Sequence, residues 1–163
     1  MSRFNNKNVI ITGGSSGIGH AIYKRLLSEG ANIVVWDILS LKDHYNSENS
    51  LFINVDVTRW ADIENALEKS INFLKKLDIL VCSAGITGPN KKTWEYTEKE
   101  WEYVFDVNTN GTFFANKACI PLMIKKSNLV LVPNFTSVLI VSEFSKTLIC
   151  LFIKASSIIL FVK

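Results

Sequence analysis

A chain of 163 residues fits one domain, since domains usually run to roughly 100–200 residues. With 48% hydrophobic and 20% charged residues it is neither disordered nor fibrous, and a net charge of +3 is too small and too dispersed to mark a nucleic-acid or membrane-surface binder. Three separated cysteines without a CxxC pair, and only His20 and His44 as histidines, exclude a disulfide framework and a metal site and point to a reducing compartment. Met1 to Asn8 is polar, and the apolar run that follows stops at Thr12-Gly13-Gly14, too short for a signal segment. No stretch reaches the ~18 uninterrupted apolar residues of a membrane span, so a cytoplasmic protein is expected.

Short β-branched runs alternate with helical patterns, the signature of a parallel sheet with crossover helices. Val9-Ile10-Ile11 reads as a first strand, apolar without alternation and therefore buried on both faces. Gly17 to Ser28 follows helical spacing, with Ile18, Ala21, Ile22 and Leu26 on the inner face and Gly30 closing the helix. Ile33 to Trp36 forms a second strand ending at Asp37, and Ser40 to Ser50 is a polar connection. Leu51 to Val55 is a third strand. Thr58 is positioned to cap a helix from Arg59 to Lys75, which turns Ile63, Ala66, Leu67, Ile71 and Leu74 inward.

Ile79-Leu80-Val81 is a fourth strand closed by Ser83-Ala84-Gly85, and Gly88-Pro89-Asn90 is a loop. Thr97-Glu98-Lys99-Glu100 has the form of a capping box, opening a helix through Trp101, Phe105 and Asn108 towards Lys126 with a bend near Gly111. Leu129 to Val132 is a fifth strand, and Leu148 to Lys163 reads as a final helix. Trp94, Tyr96 and Trp101 read as core aromatics before they read as a substrate entrance. Lys91-Lys92 and Lys125-Lys126 read as solvated charge. There is no internal repeat and no second domain, so residues 1–163 form a single unit.

Thr12-Gly13-Gly14-Ser15-Ser16-Gly17-Ile18-Gly19 lies between the first strand and the first helix, where a doubly wound sheet places a pyrophosphate. Gly13 permits the tight turn, Gly17 removes a side chain that would obstruct a phosphate, and Gly19 lets helix and strand approach. The helix N-terminus supplies unpaired N–H groups and partial positive charge. Asp37 stands twenty residues after Gly17 at the end of the second strand. A carboxylate there accepts hydrogen bonds from the adenosine ribose and repels a 2′-phosphate, and no Arg or Lys lies inside the turn. NAD is therefore expected in preference to NADP.

These residues resemble the short-chain dehydrogenase/reductase family over essentially the whole chain. Thr12 to Gly19 matches the family's TGxxxGIG turn, and Asp56-Val57 the pair that contacts the adenine ring. Cys82-Ser83-Ala84-Gly85 stands at the NNAG position, keeping Ala84 and Gly85 and losing both asparagines. Val107-Asn108-Thr109-Asn110-Gly111 matches the VNxxG segment, and Asn134-Phe135-Thr136-Ser137 the NxSS stretch. The resemblance implies a three-layer Rossmann fold, strand order 3-2-1-4-5, and hydride transfer between NAD(H) and a small-molecule alcohol or ketone. It makes Ser137 the substrate-orienting residue, Asn108 the holder of a relay water, and Lys154 the ligand of the nicotinamide ribose. The turn residues Gly13, Ser15, Ser16, Gly17, Ile18 and Gly19 join Asp37, Asp56, Val57, Ala84, Gly85 and Lys154 in the cofactor site, and no metal is implied.

Two departures stand against this pattern. The family's Tyr-x-x-x-Lys reads here as Cys150-Leu151-Phe152-Ile153-Lys154, with no tyrosine after Tyr103. A thiol beside a lysine has acid/base character but a shorter reach than a phenol. The family's sheet also continues beyond the position of Lys163, so the far edge is expected to be incomplete and the fifth strand left as an apolar edge. Two readings compete with an active oxidoreductase: an inactive nucleotide-binding protein, and a structural subunit pairing through the helices that bear Asn108 and Lys154. Ser137 has no His or acid near it in motif form, which argues against a hydrolase.

Overall fold

A computed structural model of the chain describes residues 3–39 and 47–124, together with the backbone of 130–133, 138–141 and 149–151. Strands β1 (Asn8–Thr12), β2 (Asn32–Asp37), β3 (Ser50–Asn54) and β4 (Ile79–Cys82) form one parallel sheet in the order β3-β2-β1-β4. Every pairing in it is parallel, with Thr12 level with both Trp36 and Cys82. Helix α1 (Gly17–Ser28) crosses from β1 to β2, and α2 (Trp60–Leu74) from β3 to β4. After β4 the chain passes a short turn at Thr93–Glu95. It then enters α3 (Glu98–Phe105), a π-helical segment (Asp106–Asn110) and α4 (Gly111–Ile124) without a break.

The central strands are apolar at consecutive positions because both faces are covered. Ile10, Val34, Trp36, Leu80 and Cys82 face a core shared with α2 and α4, whereas Val9, Ile11, Ile33, Val35 and Val81 face one shared with Tyr23 and Leu26 of α1. Period-two alternation thus sorts each strand's residues between the layers. This is the expected three-layer Rossmann arrangement, with the order 3-2-1-4 in place.

The structure corrects several local expectations. In α1 the buried residues are Gly19, Tyr23 and Leu26, whereas Ile18 is 44% exposed and Ala21 is exposed too. Tyr23 displaces the expected stripe because its ring is apolar and its hydroxyl finds Ser50 Oγ at 3.0 Å. Thr58 does not cap α2: its hydroxyl donates to Asp56 Oδ1 at 2.7 Å, and Arg59 occupies the cap position. The capping box of α3 is present, with Thr97 Oγ1 accepting from Glu100 N–H and Glu100 accepting from Thr97 N–H. Trp94 and Trp101 are not core residues; they are 79% and 56% exposed, and Tyr96 is half-buried. Lys91 is not merely solvated, since it pairs with Glu100, and Lys92 lies over the Trp94 ring.

The fifth strand keeps its expected neighbour but takes a different pairing partner. β5 (Val130–Pro133) lies beside β4 but pairs antiparallel with β6 (Val138–Val141), and β6 pairs antiparallel with β7 (Ile149–Leu151). The four residues between β5 and β6 permit only a hairpin, because a parallel return needs a dozen or more. Within the segment expected as a final helix, 149–151 is strand, in keeping with its β-branched and aromatic composition. The expectations for Ser40 to Asn46, Lys125-Lys126, Asn134 to Ser137 and Lys154 fall outside the described residues.

One buried polar contact ties the central sheet to α2. Trp36 Nε1 donates to Ser70 Oγ at 2.9 Å, and Ser70 Oγ donates to Ala66 O at 2.6 Å. Replacing Ser70 with Ala strands the indole N–H in the core, so urea denaturation should show a loss of ~1–3 kcal/mol. An unchanged midpoint would show that this hydrogen bond does not hold α2 to the sheet.

Candidate functional site

Because β1, β2, β3 and β4 are parallel, their carboxyl ends open on one edge of the sheet. Between β1 and β4 the order of connection reverses, and crevices at such points are where doubly wound sheets receive ligands. The glycine turn leaves β1 there. Gly13 has φ +67°, and a Cβ on it would lie 2.5 Å from Ala84 N, so only glycine passes between the ends of β1 and β4. A Cβ on Gly19 would strike Gly13 O at 2.1 Å, which explains the close approach of α1 to the turn. Gly17 has φ +53° and open space above its α-carbon.

Ser16 occupies the N-cap of α1 and makes no side-chain capping bond. The helix therefore presents its first N–H groups and its partial positive charge towards that open space. Ser15 is buried, and its Oγ has no hydrogen-bond partner among the described residues. An uncapped helix start, a gap over a glycine and an orphan hydroxyl together suit an anionic group.

Asp37 closes the site from the end of β2. It is 9% exposed, and both of its oxygens are engaged: Ser15 N–H donates to Oδ2 at 2.9 Å and Leu39 N–H to Oδ1 at 3.0 Å. Asp56, just after β3, accepts from Thr58 N–H at 2.9 Å and from the Thr58 hydroxyl, while Val57 is buried against Gly111. Ala84 and Gly85 lie between the glycine turn and Asn108. Ile18 stands exposed on the first turn of α1.

Asn108 lies in the π-helical segment. Its Oδ1 accepts from Ile86 N–H at 2.8 Å and its Nδ2 donates to Ile86 O at 2.9 Å. The amide thus staples the chain leaving β4 to the helix. One-turn π insertions often mark functional sites, and this one aligns Asn108 with Ile86 and sets Gly111 over Val57.

The structure brings together Gly13, Ser15, Ser16, Gly17, Ile18, Gly19, Asp37, Asp56, Val57, Ala84, Gly85 and Asn108 at one sheet edge. Ser137 and Lys154 lie outside the described residues. Cys150 falls in β7 opposite Leu139, so the expected helix carrying it does not exist at that position. Thr12 was overlooked as more than the start of the turn: its Oγ1 accepts from Ser83 N–H and Ala84 N–H, both at 3.2 Å, joining β1 to the exit of β4. A hydroxyl residue ending a buried apolar strand was the available signal. No cluster of metal-ligating side chains occurs among the described residues.

The two cysteines of this core are free and buried, and burial pushes the Cys82 thiol up to about 12 and that of Cys119 well above its ordinary value. Only the thiolate is nucleophilic. Iodoacetamide at pH 8 should leave Cys82 and Cys119 unmodified in the native protein and label both after unfolding, as read by peptide mass mapping. Rapid native labelling of Cys82 would contradict this packing.

A doubly wound sheet with a glycine turn at its switch point defines a Rossmann-type domain. A family model described as short chain dehydrogenase matches residues 7–143, and the chain belongs to that family. It is 32% identical over 126 residues to 2-dehydro-3-deoxy-L-rhamnonate dehydrogenase (NAD(+)) of Sphingomonas sp. (strain SKA58), covering 76% of this chain and 51% of the relative. It is also 32% identical over 143 residues to secoisolariciresinol dehydrogenase of Forsythia intermedia, covering 83% and 52%. Among solved structures, a short chain dehydrogenase from Leptospira borgpetersenii with bound NAD+ superposes with a TM-score of 0.72 at 30% identity, covering 79% of this chain and 51% of that one. The ligand-free aldohexose dehydrogenase of Thermoplasma acidophilum gives 0.70 at 30% identity, covering 77% and 47%. The chain thus spans about half the length of the curated relatives it matches.

Proposed function

We propose that the carboxyl ends of β1 to β4 hold NAD(H), in an oxidoreductase that acts on the CH–OH group of a small-molecule alcohol or ketone. The observation that carries this reading is the open space over Gly17 at the uncapped start of α1, beside the orphan Ser15 hydroxyl. The N–H groups from Ser16 to Gly19 receive the pyrophosphate, with Ser15 Oγ as a further donor. Asp37 accepts from the ribose hydroxyls, since a carboxylate oxygen has room for more than one donor. Asp56 and Val57 flank the adenine, Ala84 and Gly85 line the floor, and Lys154 takes the nicotinamide ribose. When bound, the nicotinamide supplies the hydride acceptor or donor. Ser137 orients the substrate oxygen, and Asn108 holds the floor of the site in shape.

Support for NAD over NADP comes from Asp37, whose charge opposes a 2′-phosphate. The name of the Sphingomonas relative and the bound NAD+ of the Leptospira structure point the same way. Free buried cysteines accord with a reducing, cytoplasmic setting, and no helix among the described residues is long and apolar enough to cross a membrane. Exposed Trp101, Phe105 and Phe113 on α3 and α4 support pairing of two copies through the helices beside Asn108.

A second reading is favoured by Cys150. It stands in a strand at the place of the family's proton-donating tyrosine, so the chain holds the nucleotide without turning it over. Calorimetry should show NADH binding at least ~10-fold tighter than NADPH, a difference of about 1.4 kcal/mol. Equal or tighter NADPH binding would contradict the role given to Asp37. Loss of NADH absorbance with a panel of ketones separates the two readings: consumption supports the enzyme, and binding without consumption supports the silent nucleotide holder.

A further inference from the structure

We propose that Asp37 is also a positioning residue for the phosphate turn: through Ser15 it anchors the loop that receives the pyrophosphate, so sugar recognition and phosphate recognition are coupled in one carboxylate. The inference rests on the reading that this turn binds a dinucleotide.

The end of β2 grips the turn at two points. Trp36 O accepts from Gly13 N–H at 2.8 Å, and one residue on, Asp37 Oδ2 accepts from Ser15 N–H at 2.9 Å in a buried bond spanning 22 residues of sequence. Between them Gly14 packs on Val35, whose Cγ1 would lie 2.8 Å from a Cβ added there. The first grip is backbone to backbone and survives any substitution at residue 37. The second depends on the carboxylate and is charge-assisted, the stronger kind of hydrogen bond. Gly13 and Gly17 both have positive φ, and glycines lend a loop little stiffness of their own.

The other carboxylate oxygen is held by Leu39 N–H at 3.0 Å, which fixes the rotamer that reaches Ser15. With its N–H committed to Asp37, Ser15 has its buried hydroxyl as its remaining donor, and that hydroxyl has no partner among the described residues. Removing the carboxylate therefore releases Ser15 and blurs the position of the group offered to the phosphates. A carboxylate that bound only the ribose would have no such effect.

Amide hydrogen exchange on the full chain without nucleotide tests the anchor, and competition against NADH by adenosine and by ADP tests its consequence. In Asp37→Ala the Ser15 amide should lose at least ~10-fold of its protection, about the worth of one net hydrogen bond, while Gly13 keeps its own. The factor by which ADP outbinds adenosine should fall by about as much. Asp37→Asn, which retains one acceptor oxygen without the charge, should fall between wild type and Asp37→Ala on both readouts. It carries the test alone if Asp37→Ala loses its near-ultraviolet dichroism. Unchanged Ser15 protection, or equal losses for adenosine and ADP, overturns the proposal. If the wild-type chain binds neither NADH nor ADP, the nucleotide reading fails and takes the phosphate half of the proposal with it. A changed Ser15 exchange in that case leaves the anchor itself standing, so the two failures are distinguishable.

Discussion

The parallel pairing of β1 with β2 on one side and β4 on the other decides where everything else goes. It sets Thr12 level with Trp36 and Cys82, so the chain leaving β1 emerges between two strand ends at the same height. Its backbone has to pass within a few ångströms of Ala84, which only glycine at position 13 allows. The N–H groups at this edge must also find partners, and they find them across the strands: Gly13 on Trp36 O, Ser83 and Ala84 on Thr12, and Ser15 on Asp37. The turn is therefore suspended from the sheet, and α1 starts from it with an uncapped end.

A second suspension operates on the other side of the crevice. The exit of β4 is held by the Asn108 amide, which satisfies both backbone groups of Ile86 from within the π-helical segment just ahead of Gly111. Two neighbouring polar devices, one on each side of the switch point between β1 and β4, thus hold this edge of the sheet. Buried polar groups that are fully paired give this kind of rigidity, and a partly paired set does not. The Ser15 hydroxyl at this edge has no partner among the described residues, and an unpaired buried donor is what a ligand-binding edge is expected to retain.

Much of this was legible in the residues. The unbroken apolar runs of β1 and β2, the bounds of α1 at Gly17 and Ser28, the Thr97–Glu100 capping box and the placement of Asp37 all follow from local chemistry that tertiary packing does not override. The inner face of α1 was not, because Ile18 looks like core and Tyr23 becomes a core residue only where Ser50 supplies a partner for the phenol. Thr58 resembled a cap, but the nearer Asp56 takes its hydroxyl. A π insertion leaves no mark in a helical hydrophobic pattern. The change from parallel to antiparallel pairing after β5 follows from connection length, which becomes visible only once the strands on either side are known. The inward turn of the Asp37 carboxylate towards Ser15 is likewise a three-dimensional fact with no trace in spacing.

The central claim is that a dinucleotide lies on the backbone of the glycine turn, between the ends of β1, β2 and β4. Backbone amide chemical shifts, followed on titration with NAD+, address it most directly. The account predicts the largest changes at Gly13 to Gly19, with smaller ones at Leu39, Ala84 and Gly85. Saturating NAD+ that leaves residues 13–19 unmoved, or that moves only amides remote from this edge of the sheet, would contradict it.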